Sequence, residues 1–404
     1  MLLSCETSQI LGWCCFHSSR HGLRSVRQGT RLVTLRYQQR VPAKPRYLRN
    51  AHTFGEHARS RMDVLEPARL LEAYRRSIPD WETLRHKGAA GRVAVVGGCL
   101  EYTGAPYLAA MSATRAGADL AYIFCAVEAA FPLKTYAPDL IVIPAYSSRP
   151  LASLQPSDSV HSSEPAAVDL FVSWLPRMHA VCFGPGLGRD PGVLATVQEL
   201  LVRALKHPVP VVIDADALFL LSQFGPRHTG TALATTLEER RNATADRGSS
   251  SNRIAPIVVT PNAVETRRLL ESFQIRSPQE WVRHVLAPGD VMLEKGETDR
   301  IHAVCDEAHE PEPSCVTVDC AECGSPRRCG GQGDILSGIL ATSLAWMGFQ
   351  GESASALVAA VGASTLTRRA SRAAFGAKYR AMTATDVLEQ VGPVFHAFET
   401  ESSS

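Results

Sequence analysis

Seven short apolar runs rich in β-branched residues constrain this chain more than any other feature. They fall at 92–96, 120–125, 140–143, 180–183, 209–213, 257–259 and 291–294. Continuous apolar runs this short suit strands buried on both faces. Between them lie stretches with helical spacing, such as 109–116. That alternation predicts an α/β chain: a mostly parallel central sheet covered by helices on both faces. At 404 residues, 45% of them hydrophobic, the chain can bury such a core. No internal repeat is visible, and no apolar stretch approaches the ~18 residues a spanning helix needs, so no membrane partner is expected. Two segments without a buried-face pattern, 227–253 and 304–324, read as surface excursions of one domain covering 62–400.

Charge is unevenly spread. Residues 1–61 hold eleven Lys or Arg against Glu6 and Glu56, a net +9, which leaves −7 for 62–404 out of a total of +2. An acidic body argues against a nucleic-acid partner, since phosphate backbones recruit basic surfaces. The first 61 residues, basic and poor in acids, read as a mitochondrial transit peptide or a disordered leader, with Met62 as a second start. A cytoplasmic protein with a mitochondrial form is the expectation. Among eleven cysteines only Cys315, Cys320, Cys323 and Cys329 cluster, and their spacing suits reduced thiols better than a zinc site.

Four pieces carry chemistry. In Arg327-Arg328-Cys329-Gly330-Gly331-Gln332-Gly333-Asp334, glycines precede apolar residues at helical spacing, so a helix begins at or near Asp334. Glycines there can aim backbone N–H groups at one point on the positive end of the helix dipole, a place for a transferring phosphoryl group. Asp334 beside it can take a proton from an attacking hydroxyl, or it can simply cap the helix. The second piece, Lys295-Gly296-Glu297-Thr298-Asp299, follows a strand-like run, where Lys295 could steady a phosphate and Asp299 a nucleotide; a solvated turn is the plainer reading. The third is Thr260-Pro261-Asn262-Ala263-Val264-Glu265, and the fourth Asp214-Ala215-Asp216, each closing an apolar run with acids that suit magnesium, substrate or a helix dipole. Gly184-Pro185-Gly186-Leu187-Gly188 lacks the spacing of a dinucleotide fingerprint, which disfavours a Rossmann oxidoreductase.

These pieces, in this order, resemble the ATP-dependent (S)-NAD(P)H-hydrate dehydratases of the ribokinase-like superfamily, from about Lys87 to Met347. Gly91 to Gly98, Tyr102 to Tyr107 and Arg115 to Leu120 look like that family's opening elements. The resemblance implies a three-layer ribokinase-like sandwich and a carbon–oxygen lyase. ATP, with Mg2+, would phosphorylate the ring hydroxyl of hydrated NADH or NADPH, and loss of phosphate would restore the ring. Asp334 would be the base. Lys295, Gly296, Glu297, Thr298 and Asp299, with Gly324, Ser325, Pro326, Arg327, Arg328, Cys329, Gly330, Gly331, Gln332 and Gly333, would line the ATP side. Gly117, Asn262, Ala263, Val264, Glu265, Thr266, Arg267 and Arg268, with Asp334, would line the hydrate side. No dedicated protein metal site is implied, and assembly into a homo-oligomer stays open. The chain departs from the family's pattern at Ala263, Thr266 and Glu294. The alternatives are a ribokinase-like kinase for a vitamin precursor or sugar alcohol, and an inactive scaffold, which would lose the Asp or the glycines first.

Overall fold

A computed structural model describes residues 66–82, 84, 86–148, 164–223, 231–245, 254–305, 314–348 and 355–401. The basic leader at 1–61 and the second start at Met62 lie outside the described residues. The chain forms one nine-stranded sheet in the order β3-β2-β1-β4-β5-β6-β7-β8-β9. The strands are β1 Arg92–Val96, β2 Leu120–Ala126, β3 Ile141–Tyr146, β4 Ala180–Phe183, β5 Val211–Ile213, β6 Ile257–Val259, β7 Val291–Glu294, β8 Asp299–Cys305 and β9 Ser314–Cys320. From β3 across to β7 every pairing is parallel, and only β7–β8 and β8–β9 are antiparallel.

The chain starts in the middle of this sheet. From β1 it steps outward through β2 to β3, then returns to β4 and proceeds the other way. Right-handed crossovers place the helices of the two directions on opposite faces. One face carries α2 (Gly104–Ala116) and α3 (Val127–Tyr136), joined by α1 (Pro67–Ser77), α10 (Gln332–Gly348), α11 (Ser355–Lys378) and α12 (Ala384–Thr400). The other carries α4 (Glu164–Trp174), α5 (Pro191–Leu205), α6 (Ala215–Ser222), α7 (Ala232–Ala245), α8 (Ala263–Phe273) and α9 (Pro278–Val285). Ligands of open α/β sheets lie outside the carboxyl ends of the strands where the direction reverses, here between β1 and β4.

Two segments expected as surface excursions contain regular structure. Within 227–253, α7 buries Leu233, Thr236, Leu237 and Arg240 at helical spacing. A count of apolar residues misses this face because two of its four members are polar. Arg240 is satisfied there by the Leu205 and Ala255 carbonyls and by Asp290, whose carboxylate lies 3.3 Å away. Within 304–324, Ser314–Cys320 is the edge strand β9, paired with β8 over seven positions. Only Val318 and Cys320 of its side chains are buried, so the usual alternation is half erased.

The closest helix contact sets the position of α10. At Gly338 a side-chain carbon would stand 1.9 Å from the Ala109 carbonyl oxygen and 2.2 Å from Ser112 Oγ of α2. In an unencumbered helix Gly→Ala stabilises by ~1 kcal/mol. Here the clash reverses the sign, and Gly338→Ala is expected to lose ~2 kcal/mol or more. Urea unfolding should show a lower midpoint with unchanged slope.

Candidate active site

Three strand ends and one helix start converge on Lys295. Its ammonium lies 2.8 Å from Asp214 Oδ1, and Asp214, 1% exposed, follows β5 directly. Thr260, following β6, donates from Oγ1 to the same oxygen at 2.7 Å. Beyond β7, the Lys295 N–H donates to the Pro261 carbonyl at 2.8 Å, which extends the parallel pairing past the named strands. Lys295 Nζ also stands 3.4 Å from where a side chain would begin at Gly333, in the first turn of α10. Sequence positions some 120 apart thus meet around one cation.

The Gly-rich loop reaches this point through a turn at Gly330 and Gly331. Gly331 has φ +95°, and a side-chain carbon there would come within 2.5 Å of Leu108 and 2.7 Å of Ala384. The helix then begins at Gln332, two residues before Asp334, so its free N–H groups face the cluster. Ala215, between Asp214 and Asp216, has φ +47°, strained for a residue with a side chain. Asp216 accepts from the Gly188 N–H at 2.9 Å and pairs with Arg189 at 3.1 Å.

One ammonium does not neutralise the acids around it. Burial pushes the Asp334 carboxyl up to about 7, helped by repulsion from Asp214 and Asp216 and opposed by Lys295. Burial also raises Glu265 and Asp216, against the pull of Lys295 on the first and of Arg189 on the second. For Lys295, burial works against the charge, yet Asp214, Glu265 and Asp334 outweigh it and hold the ammonium above its ordinary value. The result is a partly buried site with surplus negative charge and a proton acceptor poised near neutrality.

A cavity of about 500 Å³ opens beside Asp216 at the β1/β4 reversal, lined by Cys99, Glu101, Tyr102, Ser148, Gly186 to Gly188, Arg189 and Asp190. Arg189 lies 4.2 Å over the Phe219 ring, with Arg268 at 5.8 Å from the same ring. Glu101, Ser148 and Phe219 stand outside any motif, and the sequence carries no signal for them.

The expected residues separate into groups. Lys295, Glu265, Gly333 and Asp334 are brought together. Asn262 caps α8 by accepting from the Val264 and Glu265 N–H groups, and Glu265 answers at the Asn262 N–H, a complete capping box. Ala263, Val264 and Arg267 are exposed, whereas Thr266 faces the core. Gly296, Glu297 and Thr298 form an exposed turn, and Pro326, Arg327 and Arg328 are exposed as well. Asp299 is buried, accepting from the Gly296 N–H at 2.9 Å and from Ser364 Oγ at 2.7 Å, so its carboxylate braces the turn instead of facing a ligand. Glu294 does not crowd the phosphate side: it is held by Arg300 at 2.9 Å and lies 3.6 Å from His302. The structure does not bring Gly117 to the cluster. It caps the far end of α2 against Trp81 and Trp346. Trp346 is twelve residues along α10 from Asp334, about 18 Å at helical rise.

Known proteins share this plan. A family model described as NAD(P)H-hydrate dehydratase matches residues 93–392. The ATP-dependent (S)-NAD(P)H-hydrate dehydratase of Aedes aegypti is 40% identical over 327 residues, covering 81% of this chain and 84% of that protein. Among solved structures, a ribokinase-like superfamily protein from Enterococcus faecalis superposes with TM-score 0.55 at 18% identity, over 81% of this chain and 94% of its own. The ADP/ATP-dependent NAD(P)H-hydrate dehydratase of Bacillus subtilis, co-crystallised with ATP/Mg2+, superposes with TM-score 0.53 at 19% identity, over 81% and 97%. At such identities the superpositions establish the fold.

The raised Asp334 carboxyl has a measurable consequence. It binds its proton more tightly folded than unfolded, so its contribution favours the fold at low pH and is lost as pH rises toward 7. Asp334→Asn removes that loss. Thermal unfolding from about pH 4 to about pH 7 should show the variant gaining on the wild type, with the gain levelling off above about pH 7; a constant difference across that window would rule out a buried, proton-linked carboxyl.

Proposed function

The chain belongs to the NAD(P)H-hydrate dehydratase family, and we propose from that membership and the site's geometry that it returns hydrated NADH and NADPH to NADH and NADPH at the expense of ATP. The observation that carries the residue roles is Asp334, a carboxyl raised to about 7 at the start of α10, beside a lysine-held carboxylate. The cavity at the β1/β4 reversal takes the hydrate, and the turn at 295–299 with the loop at 324–333 takes ATP.

In this reading the ring hydroxyl lies between Asp334 and the γ-phosphate. Asp334 accepts the hydroxyl proton as the oxygen attacks phosphorus. The amides of Gly331 to Gly333, at the positive end of the helix dipole, hold the developing charge, and Lys295 steadies the transferred group. The ring carbon–oxygen bond then breaks and phosphate departs with that oxygen; the adjacent ring carbon releases a proton to water, and the electron pair of that C–H bond re-forms the ring double bond. ADP and phosphate are the by-products. A kinase reading would leave a stable phosphorylated product, and the names of the relatives do not favour it.

The donor set fits a magnesium ion that arrives with the nucleotide. Among the described residues no three His, Cys, Asp or Glu side chains are gathered into a metal cage. Magnesium bound through phosphates needs only one or two carboxylates, and the acids here outnumber Lys295. Asp214 and Glu265, the acids grouped with Lys295, would hold it. When bound, the ion would neutralise phosphate charge.

The first test is near-ultraviolet absorbance of reduced nicotinamide in a mixture of protein, NADPH hydrate, magnesium and ATP. A rise requiring both ATP and protein is expected; a flat trace from protein that binds ATP would remove the dehydratase reading. Asp334→Asn should lose turnover by ~10²-fold or more. Gly330 separates binding from folding, because a side chain there meets nothing within 4 Å. Gly330→Ala should leave the unfolding temperature unchanged while raising the KM for ATP, and an unaltered KM would move the phosphates away from this turn.

A further inference from the structure

The two loops on the nucleotide side come from opposite ends of the β7–β9 excursion, and both are held from α11. Ser364, Arg368 and Ser371 recur at i, i+4 and i+7, one stripe of that helix. Ser364 Oγ donates to Asp299 Oδ2 at 2.7 Å, and Arg368 Nη1 pairs with Asp299 Oδ1 at 2.9 Å. The same guanidinium donates to the carbonyls of Gly296, at 3.4 Å, and Glu297. Its Nε donates at 2.6 Å to the Glu322 carbonyl, on the strand of chain entering the second loop. Ser371 Oγ accepts from the Ser325 N–H at 3.0 Å. The Glu322 carboxylate is gripped in turn by Arg369 at 2.9 Å and Arg372 at 3.1 Å.

We propose that Arg368 is a positioning residue for ATP: it sets the spacing of the 295–299 turn and the 324–333 loop, so that nucleotide affinity is determined from α11. The inference rests on those two loops being the nucleotide side. A guanidinium suits the task because its donors lie in a rigid planar fork, which can hold three carbonyls and a carboxylate from one position. An ammonium reaches one loop or the other. The turn at Gly296 to Thr298 is otherwise exposed, so without the fork its backbone is free to move relative to α10. Asp299, whose carboxylate is spent on Gly296, Ser364 and Arg368, belongs to the same brace.

The test compares wild type, Arg368→Lys and Ser371→Ala by calorimetric titration with ATP and magnesium, and by turnover of NADPH hydrate. Arg368→Lys keeps the charge beside Asp299 but not the bridge, so its Kd and KM for ATP should rise ~10-fold while kcat and the KM for hydrate stay within ~2-fold. Ser371→Ala removes one tie and should raise the ATP constants ~3-fold while lowering the unfolding temperature by no more than about 3 °C. Wild-type ATP affinity in Arg368→Lys would overturn the proposal, as would an equal loss in kcat and in the hydrate KM. Wild-type protein that binds ATP without restoring NADPH would sink the dehydratase reading alone, since the ratio of ATP dissociation constants still decides the brace.

Discussion

The contact between Lys295 and Asp214 is the constraint on which the site depends. A carboxylate that is 1% exposed is costly to bury, and only a close cation with further hydrogen bonds makes it tolerable. Lys295 supplies the charge, Thr260 the second bond. Satisfying Asp214 fixes where the ends of β5, β6 and β7 stand relative to one another, because each contributes one member. It also places a cation beside the first turn of α10. One interaction therefore sets both the register of the strand ends and the charge at the helix start.

The surplus of acids follows from the same arrangement. Lys295 is shared among Asp214, Glu265 and Asp334, and burial dominates what remains. Burial outweighs the pull of the one cation at Asp334, so the carboxyl at the helix start rises toward neutrality. A carboxyl so poised can exchange its proton near neutral pH. More cations here would leave Asp334 a weaker base; fewer would leave Asp214 unpaired.

Around this point the helices act as spacers. The bare backbone of Gly338 lets α10 sit against α2, which delivers its amino end to the strand ends, while the reversal between β1 and β4 opens a cavity beside Asp216. Arg368 of α11, the helix packed against α10, holds the turn beyond β7. Small-molecule sites at strand ends are commonly built so, with rigid elements behind and short loops in front.

The sequence by itself determined the sheet's parallel core and the loop-to-helix turn at Gly330 to Asp334. Each is written locally: continuous β-branched runs have one buried solution, and glycines before an apolar helical stripe have few others. Tertiary structure alone decided the rest. Asp299 reads as a ligand from its motif, yet it is spent on Gly296, Ser364 and Arg368, partners that include residues 65 and more positions away. Gly117 reads as a contact by resemblance and lies at the far end of α2. The strand β9 and helix α7 stayed illegible because their buried faces are half polar or half exposed, so periodicity of hydrophobic residues does not mark them. The partners of a charge, and the end of a helix on which a residue stands, are set by distances through space that local sequence does not encode.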